Sequence, residues 1–155
     1  MISWKEEKVI RVPIETVWDL FRDENIQTIM PKVEEHVLME LEEDQVGAKH
    51  RQTYREGKRL ETYMVETIAY EDREEYKEKR ISFVLGKAFE ISLGFILEKV
   101  SESETKFIYE GQNKGVNFVG RAMLKLSRQK DQMNVVQEFM DRVESEAIKR
   151  NEVQI

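Results

Sequence analysis

The run 117–149 constrains the fold more than any other part of the sequence. Val119, Met123, Leu126, Met133, Val136, Met140, Val143 and Ala147 recur mostly three, four or seven residues apart, which puts them on one side of an α-helix. Arg121, Lys125, Arg128, Asp131, Glu138, Asp141 and Glu144 take the other sides, so one face alone asks for burial. No proline interrupts the run, and at helical rise it makes a rod of about 45–50 Å. The segment before it reads as successive strands. A flat sheet covers so long a rod poorly; a strongly curved one covers it well. The stripe lapses at Ser127-Arg128-Gln129-Lys130-Asp131-Gln132, which offers no large apolar side chain. Either the helix bends there, or that turn covers a wet part of a pocket or its opening.

The chain has 155 residues, 40% of them hydrophobic, which suits one domain (1–155) with a real core. Its net charge of −6 argues against duplex nucleic acid or an anionic membrane as main partner. Cysteine is absent, so disulfides, thiolate metal sites and cysteine nucleophiles are excluded, in keeping with a reducing cytoplasm. No apolar stretch reaches the length of a membrane span. The expected location is the cytoplasm.

From the start, residues 2–12 alternate loosely and end at Pro13, which opens a short helix over 14–22. A second helical turn, 24–30, stops at Pro31. Period-two alternation then gives strands over 33–41, 49–56, 60–71, 76–85, 89–100 and 105–113. Gly57-Lys58 and Gly86-Lys87 read as two-residue hairpin turns. Such short connections predict an antiparallel meander.

Val12-Pro13-Ile14-Glu15-Thr16-Val17-Trp18 with the following Asp23, then Pro31 and Val46-Gly47, resemble the helix-grip fold of the START-related and birch-pollen-allergen superfamily, which includes polyketide cyclase/dehydratase-like proteins (SRPBCC). The resemblance covers nearly the whole chain and rests on fold-bearing positions. It implies an α+β domain in which a seven-stranded sheet grips the last helix around an apolar cavity, and it carries no catalytic motif. At Ile29-Met30-Pro31 the sequence departs from the pattern, because many members place an aromatic residue there.

Residues paired across a hairpin sum to a constant, so one face can be followed across the sheet. The turns above put Arg51, Thr53 and Arg55 with Leu60, Thr62, Met64 and Glu66. A loop centred on Arg73 continues this face to Arg80, Ser82 and Val84, and the Gly86-Lys87 turn carries it to Leu93, Ile91 and Phe89. Phe95, Leu97, Tyr109 and Phe107 follow, with Val37, Met39 and Leu41 from strand two. On this reading Glu66 pairs with Arg80 inside the cavity with Arg51 close by, leaving positive capacity for a ligand's anionic end. A β-bulge in strand four or five would instead turn these residues to solvent, and Ile81, Phe83 and Leu85 form an apolar set that supports this alternative. The candidate ligand-binding residues are Arg51, Met64, Glu66, Arg80, Ser82, Leu93, Phe95, Phe107, Tyr109 and Met123.

His36 and His50, the only histidines, fall on the opposite face, separated by roughly 13 Å, too far to share a metal. No metal or cofactor is expected. Ser82, Ser92 and Ser127 lack a nucleophile frame, and Gly111, Gly115 and Gly120 spell no phosphate loop. The leading reading is binding of a small hydrophobic molecule (lipid, polyketide-like or aromatic metabolite) in the cavity, with a homodimer allowed. One alternative, implied by the resemblance, is a cyclase/dehydratase-type enzyme with Glu66 or Tyr109 moving protons. The other is a protein-interaction module like the chaperone activators of the same fold.

Overall fold

The computed structural model describes residues 1–41, 45–127 and 129–153. One seven-stranded antiparallel sheet contains β1 (Ile2–Ile10), β2 (Val33–Glu40), β3 (Lys49–Glu56), β4 (Arg59–Asp72), β5 (Tyr76–Leu85), β6 (Phe89–Ser101) and β7 (Glu104–Gly115), in the order β1-β7-β6-β5-β4-β3-β2. Only β1 leaves the meander, pairing with β7 and so bringing the two ends of the chain together. Between β1 and β2 lie α1 (Ile14–Asp19), a 3-10 turn (Asp23–Asn25) and α2 (Ile26–Ile29). Pro13 starts α1, its carbonyl accepting from the amides of Thr16 and Val17. The sheet is curved, and a long C-terminal helix lies against it.

The expected single rod is two helices, α3 (Phe118–Leu126) and α4 (Gln129–Val153). Of the two readings of the apolar gap, the backbone takes the bend: Ser127 is extended at ψ 143°, and its hydroxyl donates to the Met123 carbonyl. Among the described side chains of this stretch, Ser127, Lys130 and Asp131 are exposed, so they do not offset the loss of helical continuity. Arg128, read as part of the polar side, lies outside the described residues.

Only α4 buries the predicted stripe: Val136, Met140, Val143 and Ala147 are buried and Met133 partly so, packed among the sheet, α1 and α2, and Phe139, which the stripe left out, is buried with them. The α3 part of the stripe, Val119, Met123 and Leu126, is exposed, Leu126 to 85%. Asn117 caps α3 by accepting from the Gly120 amide, and its own amide donates to the Lys87 carbonyl. Gly120 passes so close to the Ala88 carbonyl that a Cβ would sit 2.1 Å from that oxygen.

The register holds one decisive surprise. The Gly57-Lys58 turn is as expected, with Glu56 opposite Arg59, and β6–β7 pairs Phe95 with Tyr109 and Leu97 with Phe107, also as expected. The β5–β6 turn, however, has three residues, Gly86-Lys87-Ala88, with Leu85 opposite Phe89. Gly86 and Lys87 both take positive φ there (59° and 56°), and the Ala88 carbonyl leaves the hairpin to accept from the Val116 amide. That one extra residue turns over β5, β4 as far as Thr67, β3 and the middle of β2 relative to β6 and β7, while the register shifts at Thr67/Ala69, Val33/Glu35 and Leu38/Glu40 limit the change to those stretches.

Candidate functional site

The face toward α4 therefore carries, besides Leu93, Phe95, Phe107 and Tyr109, the residues Lys77, Lys79 and Ile81 of β5, Val65 and Thr67 of β4, His50 and Gln52 of β3, and His36 of β2. Arg51, Met64, Glu66, Arg80 and Ser82 point the other way. This corrects the inward cluster of Arg51, Glu66 and Arg80. Arg51 binds Glu35 at 2.6 Å, Arg80 binds Glu78 and Glu110, and Glu66 stands opposite Lys49 and Ser82. Met64, Glu66 and Ser82 do come together, along an open groove of about 660 Å³ that Tyr63 and Phe83 also line. Met123 is exposed on α3.

Among the helix-facing candidates, Phe95, Phe107 and Tyr109 are buried beneath Phe139, whose ring centroid lies 5.8, 6.4 and 4.7 Å from theirs. Burial pushes the Tyr109 phenol far above its ordinary range. The space beneath α4 is here occupied by side chains. Leu93 packs at the margin of this cluster.

The histidines are the larger correction. His36 stands opposite Gln52, and His50 opposite Leu38, so they are diagonal neighbours on the helix-facing side, not remote residues of the outer face. Their rings stack with centroids 4.5 Å apart and planes 15° apart, and their side chains are only 7% and 6% exposed. Register shifts within β2–β3 close the expected separation. Asp23, from the 3-10 turn, reaches both: its Oδ2 lies 2.8 Å from His50 Nε2 and its Oδ1 3.3 Å from His36 Nε2. Hydrogen bonds from His36 and His50 hold the Asp23 carboxyl far below the usual carboxylate range, against the opposing effect of burial.

The chain of contacts continues outward. His36 Nδ1 lies 2.8 Å from Gln52 Oε1, and Gln52 Nε2 donates to the Tyr63 hydroxyl at 2.8 Å. Tyr63 stacks on Phe83, and burial raises its phenol's pKa. Lys79 donates to the Phe21 carbonyl at 3.2 Å; burial pulls its ammonium below the ordinary lysine value, with Asp23 pulling the other way. Phe21, Ile26, Met30, Val65, Ile81 and Phe95 wall this polar group, around an enclosed space of about 20 Å³. That is room for one water. Past Asp23 and Lys79 it adjoins a cleft of about 230 Å³ between Trp18, Phe21, Tyr70 and Gln45.

Sequence reasoning missed Asp23, His36, His50, Gln52 and Lys79 as one group. The signal was present in Ile81, Phe83 and Leu85, whose alternation marked their own face as the buried one.

A curved antiparallel sheet closed over a C-terminal helix, with two short helices after the first strand, is the helix-grip architecture. Solved structures bear this out over 96% of the chain. The aromatase/cyclase Zhui from a Streptomyces species matches with a TM-score of 0.70 at 13% identity over 94% of its own length. Ara h 8.0201 matches at 0.67, 14% and 98%, and norcoclaurine synthase from Thalictrum flavum, solved with dopamine and hydroxybenzaldehyde, at 0.64, 11% and 87%. At such identities the likeness is one of fold. No protein-family model and no curated protein matches the sequence. No helix of the described residues is long and apolar enough to cross a membrane.

Proposed function

We propose that the protein binds a small, mainly apolar molecule with a polar or anionic end in the cleft beside Asp23 and Lys79. One observation carries this reading: hydrogen-bonding and ionisable groups are gathered inside apolar walls, next to open space, on the face where the fold would otherwise place core. The cleft volume suits a molecule of one aromatic ring better than a lipid. Burying about 150 Å² of ring surface yields about 4 kcal/mol. Micromolar affinity needs about 8 kcal/mol, so the polar end must supply a comparable share, and Lys79 and the imidazole pair are the groups at hand. The expected anchor thus moves from Arg51, Glu66 and Arg80 to the helix-facing side.

Native mass spectrometry of the protein drawn from its own cells tests this. A co-purifying molecule of one-ring size that is lost in Lys79→Met supports the reading. Retention of that molecule in Lys79→Met with loss in Arg80→Gln would move the site to the outer groove. A second reading, catalysis of the cyclase or dehydratase kind, draws on the structural neighbours named aromatase/cyclase and norcoclaurine synthase and on the hydrogen-bonded Tyr63–Gln52–His36–Asp23 chain. Recovery of the bound molecule chemically altered after incubation would favour it.

A further inference from the structure

Asp23, His36 and His50 offer three ligand atoms that all lie within 4.8 Å of one another. Two imidazoles and one carboxylate are the donor types that first-row transition ions take, and three protein ligands leave a coordination position free. The histidines sit on adjacent strands whose ladder fixes their backbones. Asp23 comes from a short turn and is the more exposed of the three, so it can shift to suit an ion.

The hydrogen bonding adds an independent argument. The Gln52 amide nitrogen is committed to the Tyr63 hydroxyl, so its oxygen is what faces His36 Nδ1. With Nδ1 turned to that oxygen, Nε2 is the ring nitrogen that faces the Asp23 carboxylate, at 3.3 Å. A carbonyl-type oxygen holding the distal nitrogen of a ligating histidine is also the usual way such rings are oriented toward metal.

We propose that Asp23, His36 and His50 form a binding site for a divalent first-row transition ion, held by the two Nε2 atoms and a carboxylate oxygen, with its remaining position open toward the Trp18–Tyr70–Lys79 cleft. Coordination bonds of about 2.0–2.2 Å follow the imidazole lone pairs. The near-parallel rings therefore splay from their 15° stack, and Asp23 withdraws toward solvent as the ion replaces protons on Nε2. Lys79, the cation facing the group from β5, directs its ammonium at the Phe21 carbonyl and leaves the centre clear. The site shares its place with the ligand cleft but not its support, because an ion can be titrated without any organic ligand. Either claim can fail while the other stands.

The test uses the full chain, stripped with chelator and titrated with zinc chloride alone, read by elemental analysis after dialysis and by histidine-selective nitrogen NMR. With two histidines in the chain, both Nε2 signals are unambiguous as a pair. The expected result is one ion per chain, both Nε2 resonances moving together, and affinity weakened at least about tenfold in His50→Gln and in Asp23→Asn. Cobalt in place of zinc should give visible absorption of a four- or five-coordinate centre. No bound ion at about 100 µM free zinc would overturn the proposal, far weaker than built zinc sites. So would bound zinc that leaves both imidazoles unmoved, which marks surface carboxylates as the ligands. The NMR reading is made on the unaltered protein, so it holds even if a variant misfolds; circular dichroism checks the variants.

Discussion

Two halves of one sheet face show opposite chemistry. Over β6 and β7, Phe95, Leu97, Phe107 and Tyr109 meet Phe139 of α4 in an aromatic core. Over β2, β3 and β5, the same face carries His36, His50, Gln52 and Lys79, met by Asp23. The first half gains free energy simply by leaving water. The second must replace every hydrogen bond to water that it gives up, and at best roughly breaks even. The aromatic half holds the fold together; the polar half is tolerated by it.

Four expectations test that contrast, from the largest effect down. Phe139→Ala opens the aromatic half and should lower stability to denaturant by about 3–5 kcal/mol; a loss under about 1 kcal/mol would mean that α4 does not seal the core. Within the C-terminal run, Val143→Ala should cost about 2 kcal/mol, whereas Leu126→Ala on exposed α3 should change stability by less than about 0.5 kcal/mol. Equal effects would show α3 packed in solution.

The third concerns alkaline pH. The Tyr109 phenol is raised by burial from its ordinary value of 10.0, so the folded state keeps its proton longer than the unfolded state does. Its contribution is whole below pH 10 and is lost as pH rises toward the folded value, by about 1.4 kcal/mol per unit. Tyr109→Phe should flatten that loss, leaving the smaller share of other tyrosines raised by burial, such as Tyr63 and Tyr70. An unaltered alkaline limb would contradict the burial. The fourth concerns Lys79→Met, which removes an ammonium that burial disfavours: stability should stay level or rise by about 1 kcal/mol. A loss above about 2 kcal/mol would make Lys79 part of the structural core and erase the contrast.

The architecture was legible because its signals are local. Pro13 starts a helix, Gly57-Lys58 closes a tight hairpin, and the α4 stripe needs only helical spacing. The site was not, because it hangs on whether Ala88 belongs to a turn or to a strand. That is settled by Val116, just past β7, and Gly120 of α3, which meet the Ala88 carbonyl, and no neighbour in sequence announces such a contact. The same error hid Lys79 behind Arg80 and placed both histidines outside. Asp23 needed the three-dimensional return of the α1–α2 segment over β2 and β3. The break at Ser127 was visible as an apolar gap, though not which of its two consequences the backbone would take.

Binding of the anionic, apolar dye anilinonaphthalene sulfonate to matched inner and outer variants tests the polar half as the binding face most directly. The dye should bind one-to-one, at least about tenfold more weakly to Lys79→Met, and with unchanged affinity to Arg51→Gln and Arg80→Gln. Full binding by Lys79→Met together with loss in either arginine variant would place the site on the outer face and contradict the account.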